Sequence, residues 1–462
     1  MERTTAKKNK YEIDMCNGTI MDKLISFSLP LMLSGILQLM FNAVDIIVVG
    51  RFSGSQALAA VGSTSALINV FTNLFIGISL GANVLTARFY AAGREKEVSE
   101  TVHTAITLAL VSGIVMALVG LVFSRGALAL MGTPDDVIGL SALYMRIYFL
   151  GMPFFMLYNY GAAILRAVGD TKRPLLFLMI AGVINACLNM VLVIVFKLGV
   201  AGVAIATVIS QMISCVLVLR CLCQSESSYR LRFSELGMKG YYLKQIFSVG
   251  VPAGIQSTVI NFSNVLLQSS VNSFGSTAMA GYTAANNLLG FLYVSVNSIT
   301  QACMSFTSQN YGVGKLKRMD RVLADCMILS VVVAVVLGCI CYGFGPEILQ
   351  IYTEDAEVIA CGMEILAYTT ITYFLCGWMD LFPGALRGMG YSAVPMVLSV
   401  IGTVGTRVVW IFGIFPYHRS LAILFISYPA SWIITIILQV VCFYFVRRRV
   451  HRRSQTPAGQ EG

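Results

Sequence analysis

Residues 24–49 read LISFSLPLMLSGILQLMFNAVDIIVV, an apolar run long enough to cross a bilayer as a helix and carrying one acid, Asp45. Ser34, Gln38, Asn42 and Asp45 follow one another at spacings of four, four and three, so on a 3.6-residue helix they form a single polar stripe. The rest of the helix surface is mostly Leu, Ile, Met, Phe and Val, suited to lipid or to packed neighbours. Pro30 lies in the first third, where it removes a backbone hydrogen bond and favours a kink or hinge. Asp45 stands only four residues before Val49, so one reading takes it to the interface, near Arg51. The other makes it functional, because an acid at membrane depth costs about 2.5–3.5 kcal/mol on insertion scales. The stripe beneath it favours the second.

The whole chain shares this character. Its 462 residues are 57% hydrophobic and 12% charged with a mean hydropathy of +0.78, against about 25% charged in soluble domains. Such a chain is an all-α protein of the lipid bilayer. The net charge of +10 does not point to nucleic acid, since the basic residues sit between apolar spans rather than on a soluble domain. The first apolar segment is as long as a span and no small-residue cleavage site follows it, so it is read as retained. The 12 cysteines show neither zinc nor disulfide-framework spacing, and no Ser/His/Asp, HExxH or phosphate-loop pattern is present. Neither an enzyme nor a cofactor is expected.

Apolar runs near 24–49, 57–87, 101–123, 138–162, 175–196, 200–223, 244–270, 279–308, 322–344, 358–383, 393–415 and 420–446 give twelve spans. Placing the termini and alternate loops on one side gathers 26 of the 32 lysines and arginines there, with five opposite and Arg407 inside a span. By the positive-inside rule both termini are cytoplasmic, in a multi-pass protein of the plasma membrane. The expected division is a cytoplasmic N-terminal segment over 1–23, a first lobe over 24–223, a linker over 224–243, a second lobe over 244–446 and a cytoplasmic tail over 447–462. Both ends look solvated.

The second half repeats the first. At an offset of 221, Tyr90 and Gly93 match Tyr311 and Gly314, Phe123 and Leu128 match Phe344 and Leu349, and Leu165, Arg166, Gly169 and Pro174 match Leu386, Arg387, Gly390 and Pro395. At 222, Pro30 and Asn42 match Pro252 and Asn264. Six spans per repeat is an even number, so the two lobes run the same way and form a 6+6 parallel repeat. Two like bundles about a central cavity can rock to open either side in turn, as a secondary transporter requires.

Polar groups mark candidate sites within this frame. The seventh span carries Ser257, Asn261, Asn264 and Gln268 on one face, with Leu267 where the first span has Asp45. With Gln38 and Asn42 they are expected to line the cavity, or else to act as interhelical glue worth about 0.6–2 kcal/mol per contact. Asn185 and Asn189 stand one turn apart on the fifth span and Thr207 on the sixth; with Asp45 they offer oxygens to a small cation or hydrogen bonds to one carboxyl. Asp380 stands seven residues before Arg387, as a second acid or half of an interfacial ion pair. Gly77 and Gly81 form a GxxxG pattern, read as close helix packing.

Twelve spans, the duplication, Pro30 with Asp45 fifteen residues on, and the paired signatures LRAVGDTKRP (165–174) and LRGMGYSAVP (386–395) resemble the multidrug and toxic compound extrusion (MATE) family, over residues 20–446. The resemblance implies two six-helix lobes about a V-shaped cavity and export of organic, often cationic compounds in exchange for sodium or protons. It also implies that Asp45, Asn185, Asn189 and Thr207 bind the coupling cation and that Pro30 is where the first helix bends. No carboxylate stands in the seventh span, so Asp380 is not assigned to the C-lobe sodium site of one family subgroup. The expected protein is thus a cation-coupled exporter of small organic molecules, functional as a monomer in the lipid bilayer. A flippase for a lipid-linked precursor would be expected to show several cationic residues within its cavity, and only Arg407 lies clearly inside a span. A membrane-embedded enzyme would need a catalytic cluster on adjoining helices.

Overall fold

The structure, a computed structural model, describes residues 11–455; the outer parts of the two terminal segments, 1–10 and 456–462, lie outside the described residues. The first repeat comprises α1 (Met21–Phe52), α2 (Ser55–Ala91), α3 (Glu95–Leu130), α4 (Asp135–Leu150 and Met152–Ala167), α5 (Lys172–Val195) and α6 (Gly199–Cys223). The second comprises α7 (Gly240–Asn272), α8 (Ser276–Gly312), α9 (Leu316–Gly343), α10 (Ala356–Thr369 and Tyr373–Gly388), α11 (Ala393–Ile414) and α12 (Leu421–Gln455). The twelve-helix architecture is the expected one. Among the described residues eight helices are long and apolar enough to cross a membrane singly, and α4 and α10 qualify as bent pairs, making ten. The remaining two, α7 and α8, have 33 and 37 residues. They are diluted by polar side chains, Ser257, Asn261, Asn264 and Gln268 in one and Asn286, Asn287, Asn297 and Gln301 in the other.

The duplication is visible in the backbone. The fourth helix of each repeat is broken, by 47° in α4 and 51° in α10. In α4 the break lies at Gly151 and Pro153; in α10 the hydroxyls of Thr370 and Thr372 donate to Leu366 O and Tyr368 O at 2.6 and 2.8 Å, a back-bonding pattern that bends helices. The fifth helix of each repeat opens into π-type turns, Met190–Val195 in α5 and both Val400–Gly405 and Trp410–Ile414 in α11. Gly54 and Gly275, Gly93 and Gly314, and Gly169 and Gly390 all have φ between 69° and 103°. Each pair stands 221 residues apart, and this left-handed region is open without strain only to glycine.

Contacts divide the chain into two compact units. The first takes the segment up to Ile13 together with Leu33–Gly254, and the second takes Asp14–Met32 together with the chain from Ile255. The division falls inside α1, two residues past Pro30, and inside α7, two residues past Pro252; both helices run unbroken through their prolines.

In the first unit Leu85, Leu128, Met145, Phe149 and Tyr160 are fully buried. Lipid tails are as apolar as leucine, so transfer out of water does little to hold helices together, and close packing and hydrogen bonds decide. Here α2 meets the opening turns of α7 backbone to backbone, as the GxxxG pattern predicts. A Cβ on Gly77 would collide with the Cα of Gly254, and one on Gly81 with Ile246 O. The partner is a second such motif, Gly250 and Gly254, where a Cβ on Gly254 would lie 2.5 Å from Leu74 O. At the start of the chain the Glu12 carboxylate accepts from Tyr90 and Tyr229 at 2.8 and 2.7 Å.

The second unit packs Tyr282 on Phe425, ring centroids 6.3 Å apart, and Tyr373 on Trp432 at 5.6 Å. It also corrects the expectation of a solvated N-terminal segment. Met15 is fully buried, its carbonyl accepts from Asn310 Nδ2 at 3.2 Å, and Cys16 O and Gly18 O accept from Lys315 at 2.8 Å and Arg318 at 2.9 Å. On the same opening turns of α9, Asp320 accepts from Arg447 Nε at 2.6 Å, and Nη2 completes a two-pronged ion pair.

The packing of α2 on α7 makes glycine obligatory at one position and free at another. Gly77→Ala should destabilise the purified protein by about 1–3 kcal/mol through overpacking. Gly126→Ala in α3, where a Cβ meets nothing within 4 Å, should leave the melting temperature unchanged or raise it. Thermal unfolding in detergent compares the two.

Candidate functional site

The first unit assembles a polar cluster from α1, α5 and α6. Asp45 lies near the end of α1, half-buried. Asn189 is fully buried on the last α-helical turn of α5, where the backbone passes into the π-type turns, and its Nδ2 donates a short hydrogen bond to Asp45 Oδ1. The same Nδ2 donates to Asn185 Oδ1 at 3.1 Å, one turn earlier on the same helix face. Thr207 of α6 also faces the Asp45 carboxyl, while its hydroxyl donates to Val203 O at 3.0 Å. The four residues named from the sequence are therefore brought to one place, by helices far apart in the chain.

The wiring defines what the cluster can hold. Both hydrogens of the Asn189 amide are used, one on the acid and one on Asn185, and Asn189 Oδ1 is buried with no hydrogen-bond partner. The Thr207 hydroxyl reaches both Val203 O and the Asp45 carboxyl, and by rotating it can donate to either or accept from a protonated acid. A neutral acid fits when its carbonyl oxygen takes the Asn189 hydrogen and its O–H reaches the threonine oxygen; a carboxylate fits when the threonine turns its own hydrogen towards it. Turning the Asn189 amide over would instead gather oxygens from Asp45, Asn185, Asn189 and Thr207, a hard donor set for a small monovalent cation.

Two residues that the sequence reading missed stand beside this cluster. Tyr144 and Tyr148 of α4 lie close enough to interact electrostatically with Asp45, and their rings stack with centroids 6.2 Å apart. Their signal was the aromatic spacing YMRIY (144–148), one helical turn on a face that also buries Met145.

The other candidates fall elsewhere. Gln38 and Asn42 are exposed on α1, as are Ser257 and Asn261 on α7. Gln268 donates to Asn272 at 3.2 Å, and Asn264 accepts from Arg407 at 2.7 Å. In α10, Asp380 is half-buried and interacts with Arg387 only at longer range, since the guanidinium Nη2 donates to Gln256 Oε1 at 2.6 Å. No ion pair joins Asp380 to Arg387 among the described residues. Pro30 is buried in α1 beside the division between the compact units.

Comparison with known proteins agrees with this organisation. The MatE family model matches residues 30–191 and again 252–412, once in each repeat. The chain is 31% identical over 92% of its length, and 93% of the other's, to a Bacillus subtilis (strain 168) protein named "Probable multidrug resistance protein YoeA". It is 22% identical to the multidrug export protein MepA of Staphylococcus aureus (strain NCTC 8325 / PS 47), over 82% of this chain and 84% of that one. In fold it superposes with a TM-score of 0.87 on the outward-facing conformation of a multidrug resistance MATE family transporter, at 19% identity and covering 98% of this chain and 100% of that one. A family model matched twice, in step with the internal repeat, and a relative similar over nearly the full length establish that this multi-pass membrane protein belongs to the MatE family of transporters.

Proposed function

We propose that the chain is a secondary multidrug efflux transporter. It exports organic compounds, cationic or amphipathic, across the plasma membrane by alternating access, in exchange for a proton or a sodium ion. Both termini face the cytoplasm, in keeping with the distribution of lysine and arginine, and one chain is the working unit. The relatives named for multidrug resistance and multidrug export support the substrate class. The observation that carries the coupling is the Asp45 carboxyl clasped by Asn189 with Asn185 and Thr207 around it.

An isolated carboxylate is costly where water is excluded, so Asp45 keeps its coupling ion while the cluster is closed and releases it once water reaches the site. A ligand shifts such an equilibrium only through its different affinity for the two states, and the cluster supplies that difference. The proton reading is supported by a neutral acid finding a donor in Asn189 and an acceptor in Thr207. The sodium reading rests on the unpartnered Asn189 Oδ1, which a turned amide would present to the ion.

Three outcomes test this reading in proteoliposomes. Asp45→Asn keeps the shape of the side chain but loses the exchangeable charge, so gradient-driven efflux should fall to the rate seen with the gradient collapsed, at unchanged expression and thermal stability. Asn185→Ala, Asn189→Ala and Thr207→Ala each remove one contact worth about 0.5–1.5 kcal/mol, and should shift the half-saturating proton or sodium concentration by about three- to tenfold. Wild-type values in all three would leave the cluster a packing feature. Finally, Pro30 shares its helix with the acid whereas Pro252 does not, so Pro30→Ala should slow turnover more than Pro252→Ala while substrate affinity survives both. Equal losses would make the two prolines passive kinks.

A further inference from the structure

The second unit contains a buried cation that export coupled at Asp45 does not use. Arg407 of α11 is 3% exposed. Its Nη1 donates to Asn264 Oδ1 at 2.7 Å and to Ser263 Oγ at 3.3 Å, both on α7, and its Cζ sits 4.8 Å from the centre of the Tyr428 ring on α12. These are neutral partners. Arg407 forms no ion pair among the described residues, its buried Nε has no acceptor, and Nη2 makes no hydrogen bond. A guanidinium left so is expensive, because a buried charge without a counter-charge keeps its desolvation cost uncompensated. The open edge, Nε with Nη2, is the one that Arg447 in the same unit turns to the two oxygens of Asp320.

The position of Arg407 in the repeat is a second, independent pointer. Asn264, Arg407 and Tyr428 come from the first, fifth and sixth helices of their repeat, as Asp45, Asn185 and Thr207 come from those of theirs. At the offset of 221 that Pro174 and Pro395 share, Asn185 matches Thr406, the neighbour of Arg407, and Thr207 matches Tyr428. The second repeat thus places a buried cation among the same three helices that hold the acid in the first. Arg407 also occupies a four-residue α-turn, Thr406–Val409, with π-type turns on both sides. Such insertions concentrate at functional sites and can shift register without breaking the helix.

We propose that Arg407 is an anion site for a carboxylate group on exported compounds, held in two-pronged fashion by Nε and Nη2 once α11 moves to uncover that edge. Ser263 and Asn264 aim the guanidinium, and Tyr428 holds its face. The chain then takes zwitterionic and carboxylate-bearing amphipathic compounds as well as simple cations. This inference rests on the export reading and extends it to a substrate class.

The test uses the full-length purified protein and two fluorescent xanthene dyes that differ at one group, a free carboxylate in one and its methyl ester in the other. Equilibrium binding is measured in detergent without any ion gradient. Arg407→Met replaces a buried charge by an apolar chain of similar length and should fold; Arg407→Lys keeps the charge but loses the fork. Binding of the free acid should weaken at least tenfold in Arg407→Met and by a smaller factor in Arg407→Lys, while ester binding stays within twofold of wild type in both. Equal weakening for both dyes, or unchanged free-acid binding in Arg407→Met, overturns the anion site. Gradient-driven efflux of the ester by wild type is followed separately, so loss of the anion site leaves the export reading standing or falling on that measurement.

Discussion

Inside a hydrocarbon layer no water is at hand, so each polar group must find its partner within the chain or cost several kcal/mol. The arrangement of this protein follows from that constraint. Hydroxyls in the helices turn back on their own backbones: Thr64 donates to Val61 O at 2.8 Å, Thr369 to Ile365 O at 2.7 Å, and Thr435 to Ser431 O at 2.7 Å. Amides reach between helices, as Asn83 Nδ2 does to Ala163 O at 2.8 Å and Gln439 Nε2 to Pro395 O at 2.7 Å. Some buried polar atoms nonetheless go unmatched, and two of them bear on function. Asn189 Oδ1 and Arg407 Nε are both buried and both lack a partner, and each belongs to the charged cluster of its own repeat.

The two repeats have kept their backbones and diverged in chemistry. Glycines in the left-handed region, broken fourth helices and π-type turns in the fifth recur in step. The side chains at the matching clusters do not. Leu267, fully buried, fills the place that Asp45 holds in the first repeat, and Tyr428 replaces Thr207.

Much of this was legible in the sequence because its signals are periodic. A twenty-residue apolar run, a stripe at spacings of three and four, and identities held at a constant offset are statements about helix geometry, which the fold obeys. The cluster at Asp45 was readable for the same reason, supplemented by a family likeness. What escaped was set by packing between distant segments. Gly250 and Gly254 carry the same spacing as Gly77 and Gly81, yet nothing in the chain says that the two motifs meet. Tyr144 and Tyr148 look like ordinary aromatic filling until α4 bends beside Asp45. The N-terminal stretch is polar in composition, and its burial depends on Lys315, Arg318 and Asn310 offering donors to its carbonyls.

The division of the compact units inside α1 and α7 bears on how such a protein can be taken apart. The linker after α6 is where the sequence divides into repeats, but a cut there would strip the first unit of residues 240–254, whose backbone lies against α2. It would equally leave the second unit without Asp14–Met32. Neither repeat, as encoded, is a self-contained body. A split at the linker therefore leaves the opening turns of α1 and of α7 each on the fragment opposite to the unit they belong to, and two such fragments would have to exchange those turns to restore the packing.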